Sequence, residues 1–81
     1  MRSLIVFLSE LKPGERARII EIREEELSLK LLEMGFLPGE MVECRFTAPS
    51  GDPAAYAVGT CLVALRNEEA AQVKITDFIL E

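Results

Sequence analysis

One stretch decides the fold: LLEMGFLPGEMVECRFTAPSGD, residues 31 to 52, which combines a helix end, a turn, a strand and a second turn. Gly35 stands where a left-handed residue ends a helix. Phe36 follows at the position where a Schellman-type cap makes an apolar contact back to Leu31. The pattern therefore predicts a helix that ends at Met34.

A turn and a strand follow this helix end. Pro38 and Gly39 are typical of a type II turn, so the strand is expected to begin at Glu40. Its apolar and polar residues alternate with the period of a strand that has one wet face. The positions expected to point inward are Val42, Cys44, Phe46 and Ala48. Proline and glycine at 49 to 53 end the strand.

Short elements separated by tight turns occupy the rest of the chain and predict a small barrel. Residues 15 to 22 alternate as a strand, and a slip of one place indicates a bulge near Ile20. Asn67 is expected to cap a short 3₁₀ turn. Val73 and Ile75 mark the last strand. These elements predict a mainly β fold of five to six strands with one inserted α-helix.

The inserted helix begins at the glutamates of residues 24 to 26, where negative charge meets the positive end of the helix dipole. Leu27, Leu31 and Met34 form a stripe at i, i+4 and i+7 that is expected to pack on the barrel. Leu29 points away from this stripe, so we expect its side chain to be exposed.

A β-hairpin is predicted from AAYAV at residues 54 to 58 and CLVALR at 61 to 66. Gly59 and Thr60 join the two strands, and glycine in first place favours a type II′ turn. Both faces of the hairpin carry apolar side chains, although one face should meet water. Either another segment of the chain covers this second face or it is an interface with another protein. Its residues are Ala55, Ala57, Leu62 and Ala64.

Composition excludes several classes of function. The 81 residues predict one domain, residues 1 to 81, with a net charge of −5. A pI near 4.7 leaves no basic surplus for binding nucleic acid. The apolar run from Leu4 to Leu8 is too short for a signal peptide or a membrane span. We therefore expect a cytoplasmic protein without direct membrane insertion.

The residues that usually carry catalysis or bind metals are scarce. The chain has no histidine, which removes the usual general base and the commonest metal ligand. Cys44 and Cys61 lie in apolar strand patterns rather than in a CxxC pair, so buried free thiols are expected. No catalytic residue, cofactor site or metal site is predicted, and the chain is expected not to be an enzyme.

Four ordered blocks of the sequence resemble one protein family. These blocks are LKPGE at 11 to 15, LLEMGFLPG at 31 to 39, APSGDP at 48 to 53 and ALRNEEA at 64 to 70. They are similar to the FeoA family, small cytoplasmic accessories of bacterial ferrous iron uptake. The resemblance implies an SH3-like β-barrel with an inserted helix. It also implies a partner, the membrane iron transporter FeoB, whose cytoplasmic part includes a GTPase domain.

The hairpin departs from the family pattern. Family sequences place the hairpin glycine at the position of Thr60, and they carry polar residues where Ala55, Ala57 and Leu62 stand here. The apolar run from Leu4 to Leu8 is also atypical. Both differences leave a homo-oligomer open.

The resemblance implies a non-enzymatic accessory protein that binds and modulates FeoB, either in the cytoplasm or at the inner membrane through its partner. The candidate partner-binding residues are Leu29, Phe36, Leu37, Pro38, Ala55, Ala57 and Leu62. One alternative is an SH3-like metal-responsive regulatory domain, although no DNA-reading helix-turn-helix fits beside the barrel. The other alternative is a homo-oligomeric structural module.

Overall fold

Six antiparallel strands form one sheet in the computed structural model, which describes residues 6 to 76. The strands are β1 (Val6–Phe7), β2 (Arg16–Ile22), β3 (Met41–Thr47), β4 (Ala54–Val58), β5 (Cys61–Leu65) and β6 (Val73–Ile75). Their order in the sheet is β1-β6-β2-β3-β4-β5. Two helices, α1 (Glu25–Leu32) and α2 (Asn67–Ala70), and a 3₁₀ turn (Leu8–Glu10) complete the fold. The prediction of a mainly β fold is confirmed.

The core is apolar throughout the described range. No buried polar or charged residue occurs between residues 6 and 76. The largest fully buried side chains are Tyr56, Phe36, Leu8, Ile19, Leu31, Leu65, Ile75, Val42, Val73 and Cys44. They come from the sheet, from α1 and from the segments that connect them. The predictions that involve Leu4 and the tail from Asp77 onward lie outside the described residues.

The predicted cap closes the end of α1. Gly35 has φ +83° and its N–H donates to the carbonyl oxygen of Leu32 at 3.1 Å, while the Phe36 N–H donates to that of Leu31 at 3.0 Å. These are the two bonds of a Schellman motif, which confirms the cap. The helix ends at Leu32 rather than at Met34, because the Met34 N–H bonds three residues back and tightens the last turn. The Met34 side chain is exposed, so its predicted place in the buried stripe was wrong.

Two bulges interrupt the strands, and only one of them was predicted. The pairing of β2 with β6 shifts between Ile19 and Glu21, which confirms the bulge near Ile20. The pairing of β3 with β4 shifts between Cys44 and Phe46. This second bulge directs Phe46 to the outer face of the sheet, where it is 57% exposed, so its predicted inward position was wrong.

The hairpin of β4 and β5 has the predicted turn. Gly59 has φ +59°, and no residue other than glycine has a positive φ between residues 6 and 76. A type I′ turn needs a positive φ at both central residues, so Gly59 and Thr60 form the type II′ turn. The strand after the turn ends at Leu65, one residue earlier than predicted.

The segment after the hairpin is a single turn of α-helix rather than the predicted 3₁₀ turn. The Ala70 N–H donates to the carbonyl oxygen of Arg66 at 2.9 Å, a bond of the α-helical type. Asn67 is the first helical residue, and Arg66 occupies the cap position that was predicted for Asn67. The buried side chain of Ala70 anchors this turn in the core.

Candidate functional site

Exposed apolar side chains mark the surfaces available for contact. The large ones are Ile20, Leu29, Leu32, Met34, Phe46 and Leu62. Four of them belong to two surfaces that include predicted partner-binding residues. We call the first the helix surface, formed by Leu29, Leu32, Leu37 and Pro38. We call the second the sheet surface, formed by Phe46, Ala55, Ala57, Leu62 and Ala64.

The helix surface is positioned by the packing of α1. Oε1 of Glu24 accepts a hydrogen bond of 2.7 Å from the Leu27 N–H and caps the start of the helix. Leu27 and Leu31 are buried against the core. Leu29 therefore lies on the opposite side of α1, and Leu32, which flanks the buried stripe, is exposed three residues later and adjacent to Leu29 on the helix. Leu29 is 60% exposed, as predicted.

The turn after α1 holds the rest of the helix surface against β2. The Gly39 N–H donates to the carbonyl oxygen of Ile19 at 2.7 Å, and Nη1 of Arg18 donates to that of Gly39 at 2.8 Å. Leu37 is half-buried and Pro38 is exposed in this turn. Both side chains thus reach the surface from a turn that these two hydrogen bonds hold against β2.

Phe36 belongs to the core rather than to a contact surface. Its side chain is fully buried beside the Schellman cap. Phe36 was predicted both as a cap residue in apolar contact with Leu31 and as a partner-binding residue, and its burial agrees with the first of these predictions. The cap turns its first residue inward, so Phe36 stabilises the fold and cannot contact a partner directly.

The sheet surface contains small residues on β4 and β5 between its larger side chains. Ala55 pairs with Phe46 on one side and Ala64 on the other, and Ala57 pairs with Leu62. Ala55 is only 5% exposed and Ala57 only 7% exposed. Both alanines are thus buried, whereas Leu62, the third predicted partner-binding residue of this surface, is 55% exposed.

Phe46 is the large exposed apolar side chain that sequence reasoning missed. Its exposure results from the unpredicted bulge in β3, and no glycine or other local signal in the sequence marks that bulge. Beside it, Nε of Arg45 and Oε1 of Glu43 form an exposed ion pair at 3.3 Å. Such exposed pairs contribute little stability and act here as a polar rim of the sheet surface.

A groove of about 490 Å³ separates α1 from α2. Its lining residues are Glu24, Glu26, Leu27, Lys30, Glu68, Glu69 and Gln72. Nζ of Lys30 lies 3.7 Å from Oε2 of Glu69. Two of the carboxylates have structural roles, since Glu24 caps α1 and Oε1 of Glu69 accepts from the Arg66 N–H at 2.9 Å. No group of three or more metal-ligating side chains able to hold a metal ion occurs in the described range.

The buried reactive groups are held in their protonated forms. Burial, with a smaller effect of Glu15 and Glu43, raises the pKa of the Cys44 thiol. Burial also raises the pKa of Tyr56 to about 12, with added effects of Cys44 and Asp52. A raised pKa lowers the reactive thiolate fraction, so Cys44 is a structural thiol.

The two cysteines have different surroundings. Cys44 is buried as predicted, but Cys61 is exposed at the start of β5, so its predicted burial was wrong. Both are free thiols.

Within the described part of the chain, no helix is long and apolar enough to cross a membrane.

Comparison with known proteins identifies a family for this chain. The FeoA domain family matches residues 6 to 77. A protein of Porphyromonas gingivalis, described as an Fe(2+) transport protein A/Fe(2+) transporter FeoB fusion, is 36% identical over 69 residues, which cover 84% of this chain. The chain spans only 8% of the length of that fusion protein.

Solved structures show the same fold. Iron(II) transport protein A of Clostridium thermocellum is 40% identical with a TM-score of 0.80, and the match covers 88% of this chain and 44% of that one. FeoA of Stenotrophomonas maltophilia in complex with zinc is 31% identical with a TM-score of 0.77. The match covers 86% of this chain and 88% of that one. That protein is described as a procaryotic SH3 domain protein, and the likeness confirms the predicted SH3-like fold class.

Proposed function

We propose that this chain, which belongs to the FeoA family, binds and modulates a FeoB-like membrane iron transporter. Its role would be that of a non-enzymatic accessory protein. The family is linked to ferrous iron transport, and the fusion protein of Porphyromonas gingivalis joins transport protein A to FeoB in one polypeptide. A covalent link keeps two modules at high effective concentration. This fusion is the observation that carries the proposal.

The chemistry of the chain supports a role in binding. It has no histidine, and the pKa of its buried thiol at Cys44 is raised rather than lowered. Catalytic nucleophiles and bases need a pKa near the working pH or an activating neighbour. The exposed apolar surfaces instead offer the kind of side chains that anchor a protein interface.

The helix surface is the part we propose to contact the cytoplasmic part of the transporter. Leu29 and Leu32 stand on a helix that is capped at both ends, so binding there requires little further ordering of the backbone. Leu37 and Pro38 extend this surface along an anchored turn.

Binding of the full chain to the purified cytoplasmic part of a FeoB-like transporter tests the proposal. Leu29→Asp is expected to weaken binding at least about tenfold, since charge on an apolar anchor removes roughly 1.4 kcal/mol or more. Leu62→Asp is the matched control, because Leu62 is 55% exposed on the other surface. This control is expected to bind like the wild type.

Each result bears on a different part of the proposal. Absence of binding by the wild-type chain would contradict the transporter as partner. Wild-type affinity of Leu29→Asp, with loss in Leu62→Asp, would move the contact to the sheet surface. Tight stoichiometric binding of ferrous iron by the isolated chain, without transporter binding, would favour the metal-responsive regulatory alternative.

A further inference from the structure

Within residues 6 to 76, strand β5 forms an edge of the sheet. It is the last strand in the order, and among residues 6 to 76 it pairs with β4 alone. Its five residues, CLVAL, carry no charge and no proline. Natural edge strands usually carry charged residues or proline, which prevent pairing with another chain. The opposite edge, β1, has only two residues and offers little to pair with.

The type II′ turn determines which backbone groups of β5 face the free edge. Val58 and Cys61 flank the two-residue turn, so they form a hydrogen-bonded pair. Hydrogen-bonded and non-hydrogen-bonded pairs alternate along an antiparallel ladder. Val63 therefore bonds to β4, whereas Leu62 and Ala64 direct their N–H and C=O groups away from β4 toward the free edge.

We propose that β5 pairs antiparallel with β5 of a second copy of this chain, about a two-fold axis at Val63. Leu62 of each copy then lies opposite Ala64 of the other, and the two exchange the outward N–H···O=C bonds. Opposed residues share a face of the sheet, so a large side chain meets a small one on the sheet surface. The absence of charge from β5 means that no like charges meet across the axis.

A two-fold axis at Val63 pairs more of β5 than an axis at either neighbouring residue does. An axis at Leu62 would place Ala64 opposite Thr60, which belongs to the turn. An axis at Ala64 would place Leu62 opposite Arg66, beyond the end of the strand. Only the axis at Val63 matches both outward-facing residues with each other, so two copies of β5 can exchange all of these outward hydrogen bonds.

The dimer is expected to be weak and to depend on salt. Two five-residue strands make an interface at the small end of the range, below about 1,200 Å². Each copy carries a net charge of −5, so the copies repel one another at low ionic strength. Screening of this repulsion is expected to favour the dimer as salt rises.

Sedimentation equilibrium of the full chain over increasing concentration tests the pairing. A monomer–dimer equilibrium is expected, and Ala64→Pro is expected to weaken it at least about tenfold. Proline removes an N–H that faces the free edge, a position where edge strands tolerate it. Ala64→Ser keeps both the N–H and a small side chain and is the matched control, with wild-type association expected.

Disulfide trapping tests the register separately, in a background where Cys61→Ser removes the exposed thiol. A one-to-one mixture of Leu62→Cys and Ala64→Cys chains is expected to form a mixed disulfide faster than either variant does alone, since opposed residues lie within disulfide range. A monomer at every concentration would overturn the proposal. So would a dimer that Ala64→Pro leaves unchanged, or equal trapping in the mixed and single samples.

Discussion

The backbone N–H of Asn67 donates a hydrogen bond of 2.9 Å to Oδ1 of Asp52, fifteen residues earlier in the chain. It joins the loop before β4 to the first residue of α2. The first amides of a helix lack partners within the helix, and a carboxylate at this end is favoured by the helix dipole. The carbonyl oxygen of Asp52 also accepts from Oγ of Ser50 at 3.0 Å. The loop at 48 to 53 is therefore a structural support of α2.

Replacement of Asp52 should destabilise this junction. Asp52→Ala removes the acceptor and is expected to lower the free energy of unfolding by about 1 kcal/mol, the usual cost of losing a helix cap. Asp52→Asn retains an acceptor oxygen and is expected to recover most of the loss. Urea unfolding of both variants measures the difference. Equal stability of Asp52→Ala and the wild type would show that the bond contributes nothing.

Replacement of Gly35 should reveal the cost of the left-handed residue in the Schellman cap. A Cβ at this position meets no atom within 4 Å, so Gly35→Ala has a backbone cost only. We expect a loss of about 1 kcal/mol in unfolding free energy. Gly35→Asn is the comparison, because asparagine tolerates this conformation better, and its loss should be smaller. Thermal or urea unfolding distinguishes the two, and an alanine variant as stable as the asparagine variant would contradict the argument.

Alkaline pH should destabilise the protein through Tyr56. The folded pKa is raised from 10.0 to about 12, so the folded state holds the phenol proton more tightly than the unfolded state does. The resulting stabilisation is fully present below about pH 10 and is lost as the pH rises toward 12, a decline of about 2 kcal/mol. Tyr56→Phe should remove this part of the pH dependence.

The single tyrosine makes this prediction direct to measure. Tyrosinate absorbance reports Tyr56 alone, because the chain contains no other tyrosine. Urea unfolding at several pH values gives the matching change in free energy. A titration midpoint near pH 10 in the folded protein would contradict the burial argument.

The two cysteines should differ in their reactivity toward a thiol reagent. Cys61 is exposed and is expected to react at once, whereas Cys44 is buried with a raised pKa and must await local opening of the fold. We expect the second phase to be at least about a hundredfold slower than the first. Cys61→Ser should remove only the fast phase, and a fast phase that persists would contradict this assignment.

Local backbone chemistry explains why much of the fold was predictable. Gly35 ends α1, and Gly59 opens the type II′ turn of the hairpin. The alternation of residues 15 to 22 revealed the bulge in β2. Each of these features depends on residues close together in sequence, so the pattern carries enough information. The same holds for the exposure of Leu29 and Leu62, whose positions follow from helical and strand periods.

Long-range pairing explains why the rest was not predictable. The bulge between Cys44 and Phe46 depends on how β3 meets β4, and it reverses the orientation of Phe46 without a local signal. Ala55 is buried although it lies on the same face of the hairpin as the exposed Leu62, and no period within β4 reports this difference. Periodicity assigns a residue to a face, but only the assembled sheet determines what covers that face.

The sequence by itself therefore determined the elements, the turns between them and the family to which the chain belongs. The tertiary structure decided which candidate residues reach the surface: Phe36 turned inward at its cap, and Phe46 turned outward at its bulge. It also decided that β5 ends the sheet as an uncharged edge. The physical reason is that turn conformations are local preferences, whereas exposure and free edges follow from contacts between segments distant in sequence.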